Sequence, residues 1–262
     1  MVTLLSSVKF DTDTFWTTLF STQFVKPAVI AVFAAFMGMA LGIILGVLGA
    51  LCLASRMRWL HPVVRGYVWV FRGIPALVQI VFWYDGLSQL TGVNLSPFVA
   101  GALALGINEG AYMTEIVRSG LLAVDSGQQE AAAALSLSPL HSLRFVVAPQ
   151  ALRILVPPVS NQFIVLLKNT SLLFVISVPE IFATGQIIFT QNYRYMEVLA
   201  VVSLWYLALT GLATLVQRRL EARFGAQDGP GFSSQRRRRI RVQPGGARTS
   251  ATADALVGEG GR

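Results

Sequence analysis

The sequence predicts an all-α, polytopic membrane protein with about five transmembrane helices, and three observations predict it. Of the 262 residues, 54% are hydrophobic and only 13% charged, a balance outside that of ordinary soluble domains. Apolar runs recur that reach the ~20 residues a bilayer crossing needs. Basic residues gather in alternate loops: 55–72, the loop after residue 125 and the C-terminal tail are arginine-rich, whereas 85–96 and 180–197 hold one arginine between them. Basic loops stay on the cytoplasmic side, so five spans put the N-terminus outside and the C-terminus in the cytoplasm. Ten of the 21 Lys/Arg and four of the 13 Asp/Glu fall in residues 218–262, so most of the +8 net charge belongs to the tail. A basic tail on a membrane tether suits anionic lipid, or equally a nonspecific retention signal, rather than nucleic acid. One cysteine, Cys52, excludes an internal disulfide framework, and His61 and His141 lie near charged loops without metal-ligand spacing.

Residues 1–24 are polar, with Phe10, Phe15, Trp16 and Phe20 at amphipathic spacing. They lack the charged-then-apolar-then-small order of a cleaved signal peptide and read as an extracytoplasmic interfacial helix; a disordered leader is the alternative. The membrane domain follows over 25–220. Span 1, about Pro27 to Ala54, is uncharged, and Gly38, Gly42, Gly46 and Gly49 form a small-residue ridge suited to close helix packing. Arg56, Arg58, His61, Arg65 and Arg72 mark a cytoplasmic edge, where Pro62 and Pro75 break or kink the chain. Span 2 runs from about Pro75 to Leu90, and Arg72 before it is either a snorkelling anchor or a transport residue.

Span 3 begins at Ser96-Pro97, a serine cap followed by proline, and runs to about Val117. Asn108, Tyr112 and Glu115 share one of its faces, and Glu109, roughly 18 Å along the helix, sits near mid-membrane. Span 4, from Pro157-Pro158 to about Val178, carries Asn161 and Lys168 on one stripe and Gln162 and Asn169 on the next. A charge buried at that depth must face protein or water, so Lys168 is expected to pair with Glu109 or Glu115; Glu115 could instead pair with Arg118. Ile187, Ile188 and Phe189 could form a re-entrant or gate helix after Pro179. Span 5 covers about Met196 to Leu215. Residues 221–262 form a basic cytoplasmic tail, and from Gly225 its Gly, Ser, Pro and Arg composition without apolar periodicity predicts disorder.

The most informative stretch lies between spans 3 and 4. Ser126-Gly-Gln-Gln129 has capping-box spacing, and the helix it starts carries Glu130 and then four alanines, a surface that lets another backbone approach closely. Ser138-Pro139 starts a second helix with Leu140, Leu143 and Val147 on one side, ending at Pro149. Two short helices in an L on the cytoplasmic face form a docking element; an amphipathic pair lying on the membrane surface is the alternative.

Glu130-Ala131-Ala132, then position 136, then Val146-Val-Ala148-Pro149 resembles the EAA loop of ATP-binding-cassette (ABC) importer permeases, in which glutamate-alanine-alanine is followed by a glycine and an isoleucine-x-leucine-proline. Phe71-Arg-Gly-Ile-Pro75, Leu135-Ser-Leu-Ser138, Pro149-Gln-Ala-Leu-Arg153, Pro157-Pro-Val-Ser-Asn161 and Leu167-Lys-Asn-Thr-Ser-Leu172 narrow the resemblance to the polar amino-acid branch, the histidine/glutamine-type permeases. It covers roughly residues 25 to 220. Three positions depart from it: Ser136 stands for the loop glycine, Ala148 for a leucine, and Asn169 for an aspartate usual in the branch.

The resemblance implies a multi-pass subunit of a bacterial-type plasma (inner) membrane importer for glutamate/glutamine-like or other polar amino acids. It implies three partners besides the lipid bilayer: a pair of ABC ATPase subunits, an extracytoplasmic solute-binding protein, and a second permease, identical or homologous. Gly127, Glu130, Ala131, Ala132, Ser136, Leu137 and Pro149 would meet the ATPase. Asn108, Glu109, Tyr112, Glu115, Asn161, Gln162, Lys168 and Asn169 would line the substrate path. The chain has no Gly-x4-Gly-Lys-Ser/Thr phosphate loop, so it is expected not to be an enzyme: ATP and Mg belong to the partner, and no cofactor to this chain. With Gln162 and Asn169 uncharged and Lys168 cationic, a neutral or acidic amino acid fits this path more easily than a basic one. A self-sufficient secondary transporter or channel is the alternative, but it would need both halves of the path in one chain, and the spans show no internal repeat.

Overall fold

The computed structural model describes residues 10–55 and 57–224. Helices α1 (Thr12–Leu19), α2 (Val25–Ala54), α3 (His61–Gly73), α4 (Ala76–Val81), α5 (Leu87–Thr91), α6 (Pro97–Leu122), α7 (Ser126–Ala134), α8 (Pro139–Ser142), α9 (Ala148–Asn169), α10 (Ile181–Asn192) and α11 (Tyr195–Phe224) follow one another, with no strand among the described residues. Single π turns at Phe82–Gly86 and Leu143–Val147 join α4 to α5 and α8 to α9.

Three helices are long and apolar enough to cross a membrane: Thr22–Ala54, Pro139–Ile176 and Tyr195–Phe224. A fourth candidate is the pair Arg58–Gly73 and Ala76–Thr91, bent by 106° at its break. The expected third span, α6, is not apolar enough to be counted by composition. At 26 residues it is nevertheless roughly 39 Å long, and twelve of its residues are buried. It is the central helix, packed against α2, α3, α4 and α9, so its buried polar residues Glu109 and Thr114 meet protein and need no apolar disguise.

The seam between α2 and α6 is made of small residues. A Cβ added to Gly38 would meet Leu105, at Gly42 Glu109, at Gly46 Met113, and at Gly49 Thr114. The reciprocal positions Gly106 and Gly110 receive Leu41 and Leu45 of α2. The predicted glycine ridge is therefore an interface, where the absent side chains let two backbones approach.

Three boundaries differ from the sequence reading. The second docking helix does not end at Pro149, nor does span 4 start at Pro157; the chain is one helix from Pro139 to Ile176. A proline inside a helix removes a hydrogen bond and clashes with the preceding turn. Here the π turn widens the turn directly before Pro149, its ladder closing through the Ala148 amide on the Leu143 carbonyl. Pro157 and Pro158 lie inside α9 without ending it. Helix α11 runs to Phe224, past the expected domain boundary at 220. Arg56, residues 1–9 and the tail from Gly225, with the disorder and lipid contact expected of it, lie outside the described residues.

The amphipathic segment at the start is a helix capped by Asp11, whose side chain accepts the Asp13 and Thr14 amides. Phe15 and Leu19 pack toward the Phe24, Ile181 and Val201 core, while Trp16 and Phe20 stay exposed. Arg194 lies 3.5 Å from Asp11, and the Asp11 amide donates to Glu197 at 2.7 Å, fastening α1 to the start of α11. Glu180, fully buried, caps α10 by accepting the Phe182 and Ala183 amides and takes the Tyr206 hydroxyl at 2.6 Å. The expected gate helix is thereby pinned to α11.

Candidate functional site

Two features stand apart from the packed bundle: a polar cleft between α3, α6 and α9, and the α7–α8 loop. The cleft begins with a helix that breaks. Pro75 disfavours helical geometry in the residue before it, and Ile74 is extended at φ −95°, ψ 132°. Carbonyls at the end of α3 would then lack partners. Side chains supply them: Gln79 donates to Phe71 O at 2.9 Å and Ile74 O at 2.8 Å, and Asn108 donates to Phe71 O at 2.7 Å. The Tyr67 hydroxyl adds a 2.6 Å bond to the Ile107 carbonyl.

The bend and the two neighbouring helices enclose a cleft of about 480 Å³ lined by Arg72, Asn108, Glu109, Tyr112, Gln162 and Asn169 among others. Five of the eight residues expected on the path are therefore together. Glu109 is buried, and one carboxylate oxygen accepts from Gln162 at 3.3 Å. Its other oxygen has no hydrogen-bond partner among the described residues.

The other three path residues are elsewhere. Glu115 forms an ion pair with Arg72, not with Lys168 or Arg118, and faces an adjoining cleft with Arg65 and Arg118. Asn161 and Lys168 are exposed on the outer stripe of α9. The expected Lys168–Glu109 or Lys168–Glu115 pairing is thus absent, because Lys168 lies one stripe away from the Gln162–Asn169 face.

Sequence reading left Arg72 between anchor and transport residue. The guanidinium lies 5.1 Å from the Tyr112 ring centroid and lines both clefts, so it is a cleft residue. The signal was its position directly before Gly73-Ile-Pro75, where the helix must stop inside the bundle.

In the loop, α7 is capped by Asp125, which accepts the Gly127 amide at 2.7 Å; Ser126 is the first helical residue and not the cap. Glu130 is exposed, whereas Ala132 is almost completely buried. The helix closes with the Leu137 amide on the Ala132 carbonyl and Ser136 at φ +57°, the left-handed termination that glycine usually fills. This is the position where the resembled motif has its glycine. Ser138 caps α8 as expected. Leu143 and Val147 turn inward to a small core with Val124, Ala151 and Leu155. Leu140 does not join them: it, Leu135 and Phe145 are exposed, an apolar surface on which Phe145 stacks against His141. Ser136→Gly is expected to raise the melting temperature, since it removes a left-handed penalty of about 1–2 kcal/mol and adds a smaller entropic cost. A lower melting temperature would mean that the Ser136 side chain makes a stabilising contact.

Known proteins resemble the chain along most of its length. Residues 38–226 match the family described as binding-protein-dependent transport system inner membrane component. The chain is 35% identical to the arginine transport system permease protein ArgU of Corynebacterium glutamicum, over 86% of this chain and 75% of that one. It is 33% identical to the glutamine transport system permease protein GlnP of Escherichia coli, over 82% and 98%. A crystal structure of an amino acid ABC transporter with histidines superposes with a TM-score of 0.74 at 33% identity, covering 83% of this chain and 99% of that one.

Proposed function

The chain belongs to the family of binding-protein-dependent transport system inner membrane components, and on that premise we propose that its polar cleft is part of the path by which a polar amino acid crosses the membrane. The chain is a multi-pass permease subunit of an ABC importer; such permeases are not themselves enzymes, and ATP is hydrolysed by a partner. The observation that carries the reading of the cleft is the convergence of Asn108, Glu109, Tyr112, Gln162 and Asn169 with Arg72 beside a broken helix. An amino acid leaving water needs replacement partners for its ammonium and carboxylate, and neutral amides with one acidic and one basic side chain provide them.

The partners follow from the same reading. A solute-binding protein outside delivers substrate, two ATPase subunits holding ATP and Mg work from the cytoplasm, and a second permease completes the path. The α7–α8 loop is the ATPase contact. Glu130, Ala131 and Gly127 offer a low, exposed surface, Leu135, Leu140 and Phe145 the apolar contact, and Ala132, Ser136, Leu137 and Pro149 the shape behind it. This puts the loop and C-terminus in the cytoplasm and the N-terminus outside, in accord with the loop charges.

Mechanically, the loop and the cleft share one rod. Pro139, Gln162 and Asn169 all belong to the helix Pro139–Ile176, so closure of the ATPase pair against α8 tilts the cleft's own wall. The test is to purify the permease with its ATPase and binding protein, reconstitute them, and titrate candidate amino acids against the rate of ATP hydrolysis. At least one polar amino acid should raise the rate and be taken up only with ATP. Uptake without ATP or a second polypeptide would instead establish a self-sufficient transporter.

A further inference from the structure

We propose that an acyl chain of a membrane phospholipid occupies an apolar crevice between α2 and α9, with the lipid phosphate beside Arg144. The inference rests on the reading above, in which a second permease completes the path at the polar cleft. The crevice measures about 400 Å³. Ile43, Val47 and Leu51 of α2 form one wall, Leu152, Val156 and Val159 of α9 form the other, and α6 is the floor. All thirteen lining residues are aliphatic or methionine. Helices α2 and α9 touch through the rings of Phe36 and Phe163, whose centroids lie 4.9 Å apart, and the crevice opens from there toward the α7–α8 loop. Ile43, Leu51 and Leu152 are exposed along its mouth.

Such a space is neither wet nor empty inside a membrane. Water held in a cavity needs about two to four polar partners, and these side chains offer none. A void left open forfeits the dispersion contacts of the atoms around it. An acyl chain fits in length as well as in chemistry. From Ala148 to Val159 the crevice follows α9 for roughly 17 Å at 1.5 Å per residue. One leaflet's share of the hydrocarbon core is about 15 Å. At the loop end, Arg144 directly follows Leu143, a lining residue. It is exposed and makes no ion pair among the described residues, so its guanidinium is available to a phosphate.

A second copy of the chain is the competing occupant, and its position disfavours it. The copy that completes the path meets the cleft, which Asn108 and Tyr112 line from one face of α6. Val117 of the crevice floor lies nine residues beyond Asn108, about two and a half turns, and so on the opposite face of the same helix. The crevice faces lipid while the cleft faces the partner. Its occupant also matters to the moving rod. A flexible chain follows the gap as α9 tilts against α2, whereas an empty gap would open a void at each tilt.

The test reconstitutes the permease with its ATPase in vesicles of phosphatidylglycerol and phosphatidylethanolamine that carry a trace of phospholipid with a photoreactive group midway along one acyl chain. After illumination, labelled residues are mapped by mass spectrometry in the wild type, V47W, L48W and R144Q. Val47 is half-buried and lines the crevice, whereas its neighbour Leu48 is exposed and does not. Wild-type label should concentrate on the crevice residues over exposed apolar residues elsewhere, such as Leu207 and Leu212. V47W, whose indole fills the crevice, should lower that label by about tenfold, and L48W should leave it unchanged. R144Q should lower it by about two- to fivefold, the worth of a charge contact at an exposed site. If V47W melts early, the wild-type map alone decides. Label spread evenly over exposed apolar residues would mean ordinary bulk lipid and would overturn the proposal. Label that avoids the crevice would overturn it too, by showing that a second permease or the ATPase covers it. Neither result touches the reading of the path, which stands or falls with ATP-dependent uptake.

Discussion

Gly46→Val is expected to cost more stability than any other single glycine replacement in the described helices. A Cβ at position 46 would lie 2.8 Å from the carbonyl carbon of Met113, and at position 42 the nearest atoms belong to the flexible Glu109 side chain. Backbone cannot swing aside as a side-chain end can, so α2 and α6 must separate along the seam that positions both. Overpacking typically costs about 1–3 kcal/mol, and here the separation also opens contacts one turn away on either side. The effect should be read as a melting temperature of the purified complex, against Gly211→Ala, whose Cβ meets nothing within 4 Å. That control should melt at or above the wild-type temperature, because alanine suits a helix better than glycine. Equal melting of the two variants would show that the α2–α6 seam does not limit stability. Function should fall with stability, since the seam that seats Met113 on Gly46 seats Glu109 on Gly42.

What the sequence disclosed and what it withheld have physical causes. Span 1 and its glycine ridge were legible because an uncharged run can only be membrane or core, and regularly spaced glycines have one use in such a helix. The break at Pro75 was legible because proline constrains its own neighbourhood. The Ser138 cap was equally local. The continuity of Pro139–Ile176 was not: three prolines argue for breaks, and a π turn that absorbs one of them leaves no mark in composition. The capping residue of α7 was misplaced by one position, since Asp125 and Ser126 are both competent caps and only backbone geometry chooses. The expected pairing of Lys168 with Glu109 or Glu115 failed for a deeper reason. Periodicity reports which residues share a stripe, but not which stripe faces the cleft, and one step around a helix separated Lys168 from Gln162. Arg72 and Glu115 lie 43 positions apart, and no local pattern could pair them.

Glu130→Arg is the substitution expected to separate ATP hydrolysis from transport. Glu130 is exposed on α7 and makes no ion pair among the described residues. Reversing its charge should change the fold's own stability by no more than about 0.5 kcal/mol, the usual range for a surface site. Any large consequence must then come from a partner. If Glu130 sets the register of the ATPase contact, reversal substitutes repulsion for a charge contact whose loss typically costs about 2–5 kcal/mol when desolvated. Substrate-stimulated ATP hydrolysis should fall by about tenfold or more, while the amount of permease in the membrane stays the same. Glu130→Gln, which removes attraction without adding repulsion, should fall between the two. The mechanical route explains why so small a contact could matter. From Pro139 to Gln162 is 23 residues of one helix, roughly 35 Å at 1.5 Å per residue, unbroken between loop and cleft. A misplaced docking helix would therefore misplace the cleft wall itself, and uptake should decline together with stimulation. Full stimulation in Glu130→Arg would remove Glu130 from the contact and leave the exposed Leu135, Leu140 and Phe145 as the surface to test next.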